Sequence, residues 1–213
     1  MPISQWPSLF GTYCPNSRLT YASFNPNNIT IMKQLLLFSL LFFSTITNAQ
    51  MNLIKNSGFE RDLINWTGQE NAAISSYDKK TGRSSALINQ YTGAEWRALD
   101  QTVLIPKNSY AVECSAWMKT DQVETQKEEY KAAAIIIEFI NAADKQISSE
   151  TIGTAKNTTD WTNYKKAVKI PANAKKIRIM LALAQTNGTV FFDDVNMIAL
   201  GTEEFAKLNP EAK

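Results

Sequence analysis

From Ser84 to Ile198 the apolar positions recur mainly at every second residue, the period of strands that bury one face and leave the other in water. Runs of this kind cover Ser84 to Ile88, Ala98 to Ile105 and Tyr110 to Met118. Four more, Ala133 to Ile140, Tyr164 to Ile170, Ile177 to Ala184 and Thr189 to Ile198, are β-branched or aromatic and are bounded by Asn, Asp, Gly or Pro. Many short strands with little room for helices between them predict an all-β fold, a two-sheet antiparallel β-sandwich or jelly roll. Gln122 to Ala134 is rich in Glu, Lys and Ala and reads as helix on propensity alone. It is assigned as a loop leading into a strand, because Ile135 to Ile140 is too β-branched and apolar for an exposed helix face. The tail from Gly201 has room for one helical turn.

A different pattern precedes the strands. Met32 and Lys33 are followed by an apolar run from Leu35 to Phe43 and by small residues at Thr47 and Ala49. This is the layout of a secretory signal spanning 32–49, cleaved after Ala49. The run is roughly half of the about 20 residues a membrane span needs, so it predicts export without membrane insertion. Residues 1–31, with four prolines and no acid, are read as an over-extended, disordered N-terminus ahead of the true start. The expected product is secreted or periplasmic, with a single domain over 50–200 and a tail over 201–213.

Removing the leader changes the charge. Arg18 and Lys33 are its only charged residues, which leaves 20 Lys plus Arg against 20 Asp plus Glu. A neutral domain without a basic cluster offers little counterion release, so nucleic acid is not an expected partner. The mixed-sign stretch Glu124 to Lys131 reads as a solvated loop. Cys114 is left without a partner and alternates with apolar neighbours, the setting of a buried thiol. The chain has no histidine, which removes Ser-His-Asp and Cys-His catalysis and the commonest ligand of a catalytic zinc. The adjacent Asp193 and Asp194 are expected to point to opposite faces of a strand, which does not suit paired-carboxylate glycoside cleavage.

Three segments go beyond a generic sandwich: Asn52 to Glu60 with Trp66 after it, Tyr110 to Lys119, and Thr189 to Val195. With Trp161 and Tyr164 ahead of a strand ending at Pro171, this ordered set resembles the carbohydrate-binding modules of families four, nine and twenty-two. The resemblance implies a galactose-binding-like jelly roll, usually non-catalytic, often with a structural calcium. Metal ligands carried over from it are Gly58, Glu60, Lys80, Asp193 and Asp194, with Lys80 contributing its backbone carbonyl. A hard cation does need several oxygen ligands, and pairing of the first and last strands would bring Glu60 and the two aspartates side by side.

A polysaccharide or oligosaccharide partner requires aromatic faces for the sugar ring and planar polar groups for its hydroxyls. Trp66, Trp117 and Trp161 are expected to pack in the core. Trp96 is different: on a regular strand it cannot share a face with Leu99, so it points out if Leu99 points in. Trp96 is therefore the expected ligand platform, with Tyr91 as companion and Glu95, Arg97, Gln101 and Gln185 as polar partners. The first functional reading is a monomeric, secreted, non-catalytic glycan-binding module. The alternatives are a structural or protein-interaction sandwich on the cell surface without sugar binding and, behind it, a jelly-roll lyase or hydrolase.

Overall fold

The computed structural model describes residues 50–210. The expected signal peptide and the segment before it lie outside the described residues. Ten strands follow in chain order: β1 Glu60–Leu63, β2 Ala73–Ser75, β3 Ser85–Gln90, β4 Trp96–Leu104, β5 Ala111–Val123, β6 Ala133–Ile140, β7 Gln146–Ala155, β8 Asn157–Lys169, β9 Lys176–Ala184 and β10 Gly188–Leu200. One short α-helix, α1 Thr202–Leu208, closes the domain and is longer than the single turn expected of the tail. Nine of these strands, all but β1, form two antiparallel sheets, ordered β2-β3-β10-β5-β8 and β4-β9-β6-β7. This is the predicted sandwich.

The core is made by alternate residues of facing strands. Leu99, Ile135, Ile137, Phe139, Ile177, Ile179, Leu181 and Leu183 from the four-stranded sheet meet Ile88, Val112, Cys114, Met118, Val190 and Phe192 from the other. Each side chain of this size contributes roughly 1.5–3 kcal/mol when fully buried. The segment expected to be a loop, 122–134, contains no helix: β5 runs on to Val123, the loop covers 124–132, and β6 begins at Ala133.

β7 escaped the periodicity because it is an edge strand. Only Ile152 and Ala155 of its ten residues are buried, and Gln, Ser, Thr and Glu occupy much of the remainder. Strand β8, at the edge of the other sheet, starts seven residues before the expected Tyr164 for the same reason. Polar edges discourage pairing with other chains.

Trp66 is buried, stacked on Phe59 at 5.2 Å, and its Nε1 donates to the Asn56 carbonyl at 3.2 Å. Trp117 and Trp161 depart from expectation. In β5 the inward residues are Val112, Cys114, Ala116 and Met118, so Trp117 faces outward, with the Lys80 ammonium 4.1 Å from its ring. Trp161 lies against Phe191, which also points away from the core. Both tryptophans are partly exposed because strand parity placed them on the outer face.

Candidate functional site

The outer face of the four-stranded sheet follows from its register. One row runs Ala98, Ala182, Ala134 and Thr154 across β4, β9, β6 and β7. On three consecutive strands this row carries only methyl groups, of which those of Ala182 and Ala134 are almost fully covered. Trp96 stands one row away, opposite Ala184, and is 43% exposed while Leu99 is fully buried. The next rows carry Asp100, Met180 and Ile136, then Thr102, Arg178 and Glu138. What this face offers a flat polyhydroxylated ring is therefore the exposed indole of Trp96, with charged groups further along.

The charged groups of this face are not among those singled out from the sequence. Arg178 donates to the buried Glu138 carboxylate through Nε at 2.9 Å and also through a terminal nitrogen. Burial pushes the Asp100 carboxyl above the usual carboxylate range; Arg178 opposes the shift, and Glu138 and Glu70 add to it. Asp100 also anchors the loop before β2, since its backbone exchanges two hydrogen bonds with Thr67, at 2.8 and 3.0 Å. Part of the signal that could have found this group was in the sequence: Glu138 is the single charged residue of β6, and Arg178 stands in the largely apolar β9 with only Lys176 as a second charge. What the sequence lacked was the register that puts them together.

The six expected ligand residues are divided by the structure. Glu95 and Gln185 flank Trp96: the Gln185 amide donates to the Glu95 carbonyl at 3.2 Å, and Tyr130 joins them through a 3.5 Å contact to Gln185 Oε1. Arg97 and Gln101 lie on the opposite side of β4. Gln101 is buried and clamps Lys55, accepting from its amide at 2.8 Å and donating to its carbonyl at 3.0 Å. Arg97 donates to the Asn89 carbonyl at 3.2 Å. Both therefore serve the scaffold, a correction that strand alternation requires. Tyr91 lines a pocket at the end of the sandwich whose walls include none of the other five.

The five expected metal residues converge. Asn56 shapes the approach: its side chain donates to the carbonyls of Asp62 and Ile64 at 2.8 and 3.0 Å and accepts from the Arg61 amide. This ties down a segment in which Asn56, Phe59 and Asp62 all have positive φ. Glu60 Oε1 accepts from the Arg83 amide at 2.7 Å, and Oε2 from Arg83 Nε at 3.2 Å. The bond from Arg83 holds the Glu60 carboxyl below its ordinary value. Asp193 Oδ2 accepts from the amides of Lys80 and Thr81 at 2.8 and 2.9 Å. The Lys80 backbone therefore turns its N–H, not its carbonyl, toward this carboxylate.

Asp193 and Asp194 do not point to opposite faces. The β10 register shifts between Asp193 and Asn196, and Asp194 has φ +47°. Phe192 and Val195 both stay in the core, so this bulge leaves the two aspartates together on the outer side. A methyl group built on Gly58 would lie 3.6 Å from Asp194 Oδ1 and 3.7 Å from Asp193 Oδ1. Burial raises the Asp193 carboxyl, against three backbone N–H donors that lower it. Among the described residues no three acidic, Cys or His side chains close on one point, so a cation here would need backbone carbonyls or water besides the two Oδ1 atoms. That pair of oxygens beside a bare glycine is compatible with such an ion.

The fold is shared with solved structures of low identity. It is similar to the enzymatically active domain of bacteriophage CBA120 tailspike protein 4, with TM-score 0.54 and 13% identity over 70% of this chain and 21% of that one. It is similar to the CBM22-1 xylan-binding domain of Paenibacillus barcinonensis Xyn10C, with TM-score 0.52 and 12% identity over 72% and 97%. A third neighbour is the CBM22-1 and GH10 part of Clostridium thermocellum Xyn10B complexed with xylohexaose, with TM-score 0.50 and 14% identity over 70% and 29%. A search of curated proteins returns no match. Against protein-family models, residues 51–188 match the carbohydrate binding domain CBM_4_9, and the chain belongs to that family.

Proposed function

We propose that this chain is an exported, non-catalytic glycan-binding module whose ligand lies on the outer face of the four-stranded sheet. The observation that carries this reading is the exposed Trp96 on the same face of the sheet as Asp100, Arg178 and Glu138. A pyranose ring packs its apolar face on the indole while its hydroxyls reach Asp100, Glu138 and Arg178 along the face. Arg178 donates twice to Glu138 Oε2, which fixes the orientation of this carboxylate on the binding face. Export through residues 32–49 places the module among extracellular polysaccharides. A calcium ion beside Gly58, held by Asp193 and Asp194 with Glu60 nearby, serves as a structural staple. Its donor set of hard oxygens suits that ion.

Affinity electrophoresis through gels containing xylan, mixed-linkage glucan or galactan tests the reading. Retardation by at least one polymer is expected, and Trp96→Ala should reduce it about tenfold or more with the melting temperature little changed. Unaltered retardation of Trp96→Ala would move the ligand off this face. Release of reducing ends from any of the polymers would overturn the non-catalytic part.

A further inference from the structure

The Trp96 face carries more negative charge than its own cations neutralise. Asp100, partly exposed on β4, has no hydrogen bond or ion pair at its carboxyl among the described residues, and the charged groups that act on it are Arg178, Glu138 and Glu70. We infer that this face, on the reading of it proposed above, takes a glycan that bears protonated amino sugars, with one ammonium held at Asp100 and Glu70.

The cations nearby are already committed. Arg178 donates to Glu138 through Nε and a terminal nitrogen. Lys131, in the loop before β6, pairs with Glu128 at 3.4 Å, and Lys176, at the far end of β9, with Asp144 at 2.6 Å. Asp100 and Glu70 enter no ion pair among the described residues. Glu95, beside Trp96, reaches Arg97 only at 3.9 Å and keeps 78% of its side chain exposed. Around Asp100 the acids are therefore in surplus.

Their position is fixed by the fold. Glu70 is exposed on the loop before β2, and that loop is fastened to β4 at three points. Thr67 pairs with Asp100 through the backbone, Asn71 Nδ2 donates to the Ala98 carbonyl at 3.3 Å, and a Cβ on Gly68 would come 2.3 Å from the same carbonyl oxygen. Met180, the register partner of Asp100 on β9, is 9% exposed, so one flank of the carboxylate is apolar. An ion pair formed there is stronger than one in open water.

The same face decides which cation fits. A bare metal ion has no use for the indole, and among the described residues no three acidic, Cys or His side chains close on one point. A basic peptide would meet the acids, but an exposed tryptophan on the same side of the same strand, about 13 Å along it, is a stacking surface for a sugar ring. The chain's family is also one of carbohydrate binding. A short amino-sugar chain uses both features, one ring on Trp96 and the ammonium of another unit on the acids. N-acetylation removes that charge, and a uronate is repelled.

Isothermal titration calorimetry of the full chain just below neutral pH tests this. The probes are the tetrasaccharides of glucosamine, N-acetylglucosamine and xylose, with tetralysine as the cationic peptide. The glucosamine tetrasaccharide should bind about tenfold tighter than its N-acetylated counterpart, and added salt should erode that advantage. Asp100→Asn and Glu70→Gln should each bring the two affinities together, and Trp96→Ala should weaken every sugar that binds. Glu70→Gln is an exposed substitution outside the sheets and decides alone if Asp100→Asn does not fold. Equal affinity for the charged and acetylated tetrasaccharides overturns the inference and leaves the glycan face standing; no binding by any sugar overturns both. Tetralysine binding as tightly as the glucosamine chain, or glucosamine binding unchanged in Trp96→Ala or in Glu70→Gln, also overturns it.

Discussion

Single residues of this domain behave according to the water they have lost. Burial pushes the Cys114 thiol up to about 12. The native protein should therefore resist an aromatic disulfide reagent near neutral pH and react with it once unfolded in urea; stoichiometric labelling of the native form would contradict the burial. Asp100 gives a pH signature. Its carboxyl is raised in the fold, so the folded protein binds this proton more readily than the unfolded chain, and the group's contribution to stability falls as pH rises from the ordinary carboxylate range through the raised value. Glu60 has the opposite sign: its stabilisation is present above the unfolded value and is lost as pH falls through the lowered one. Asp100→Asn should thus gain stability relative to the wild type as pH rises through that window, and melting curves that stay parallel with pH would refute the assignment. That Cys114 is buried was legible from its apolar neighbours at alternate positions. That Asp100 is perturbed was not, because the groups that act on it come from β6, β9 and the loop before β2.

Elements show where local pattern reaches its limit. Seven strands were readable because one face of each meets the core, and the edge strand β7 was not, because little of it does. The bulge in β10 was equally hidden: Asp193 and Asp194 sit within a run that alternates well on either side, and one extra residue reverses which face Asp194 takes. The turn 78–83 depends on a glycine in the same way. Gly82 has φ +58°, and a Cβ there would lie 2.0 Å from Glu60 Oε1. Gly82→Ala should cost about 1–2 kcal/mol from the left-handed backbone alone and should also displace the Glu60 carboxylate from the Arg83 amide. Urea midpoints would measure the loss, and an unchanged midpoint would show that the turn yields freely.

For the molecule as a whole, the proposed ion couples ends that are far apart in sequence. Ser57 and Val195 are hydrogen-bonded at 3.0 Å, and Leu53 and Met197 at 2.8 Å, so Gly58 and Glu60 meet Asp193 and Asp194 where the segment 53–57 lies beside β10. Calcium held there stabilises only the folded form. At a hundredfold excess over its dissociation constant it should add about 2.7 kcal/mol, roughly 5–10 °C in melting temperature. Identical melting in calcium and in chelator would remove the ion from the model of this domain. By itself the sequence determined the fold class, the burial of Cys114 and the outward direction of Trp96, because strand period is a local property and a jelly roll is built from it. Only the tertiary structure decided which residues share a face with Trp96. Register across three strands brings Asp100, Arg178 and Glu138 together, parity turns Arg97 and Gln101 away, and packing at the sandwich end gives Tyr91 a pocket of its own. Those choices depend on pairings between residues up to about a hundred positions apart, and no local pattern carries that information.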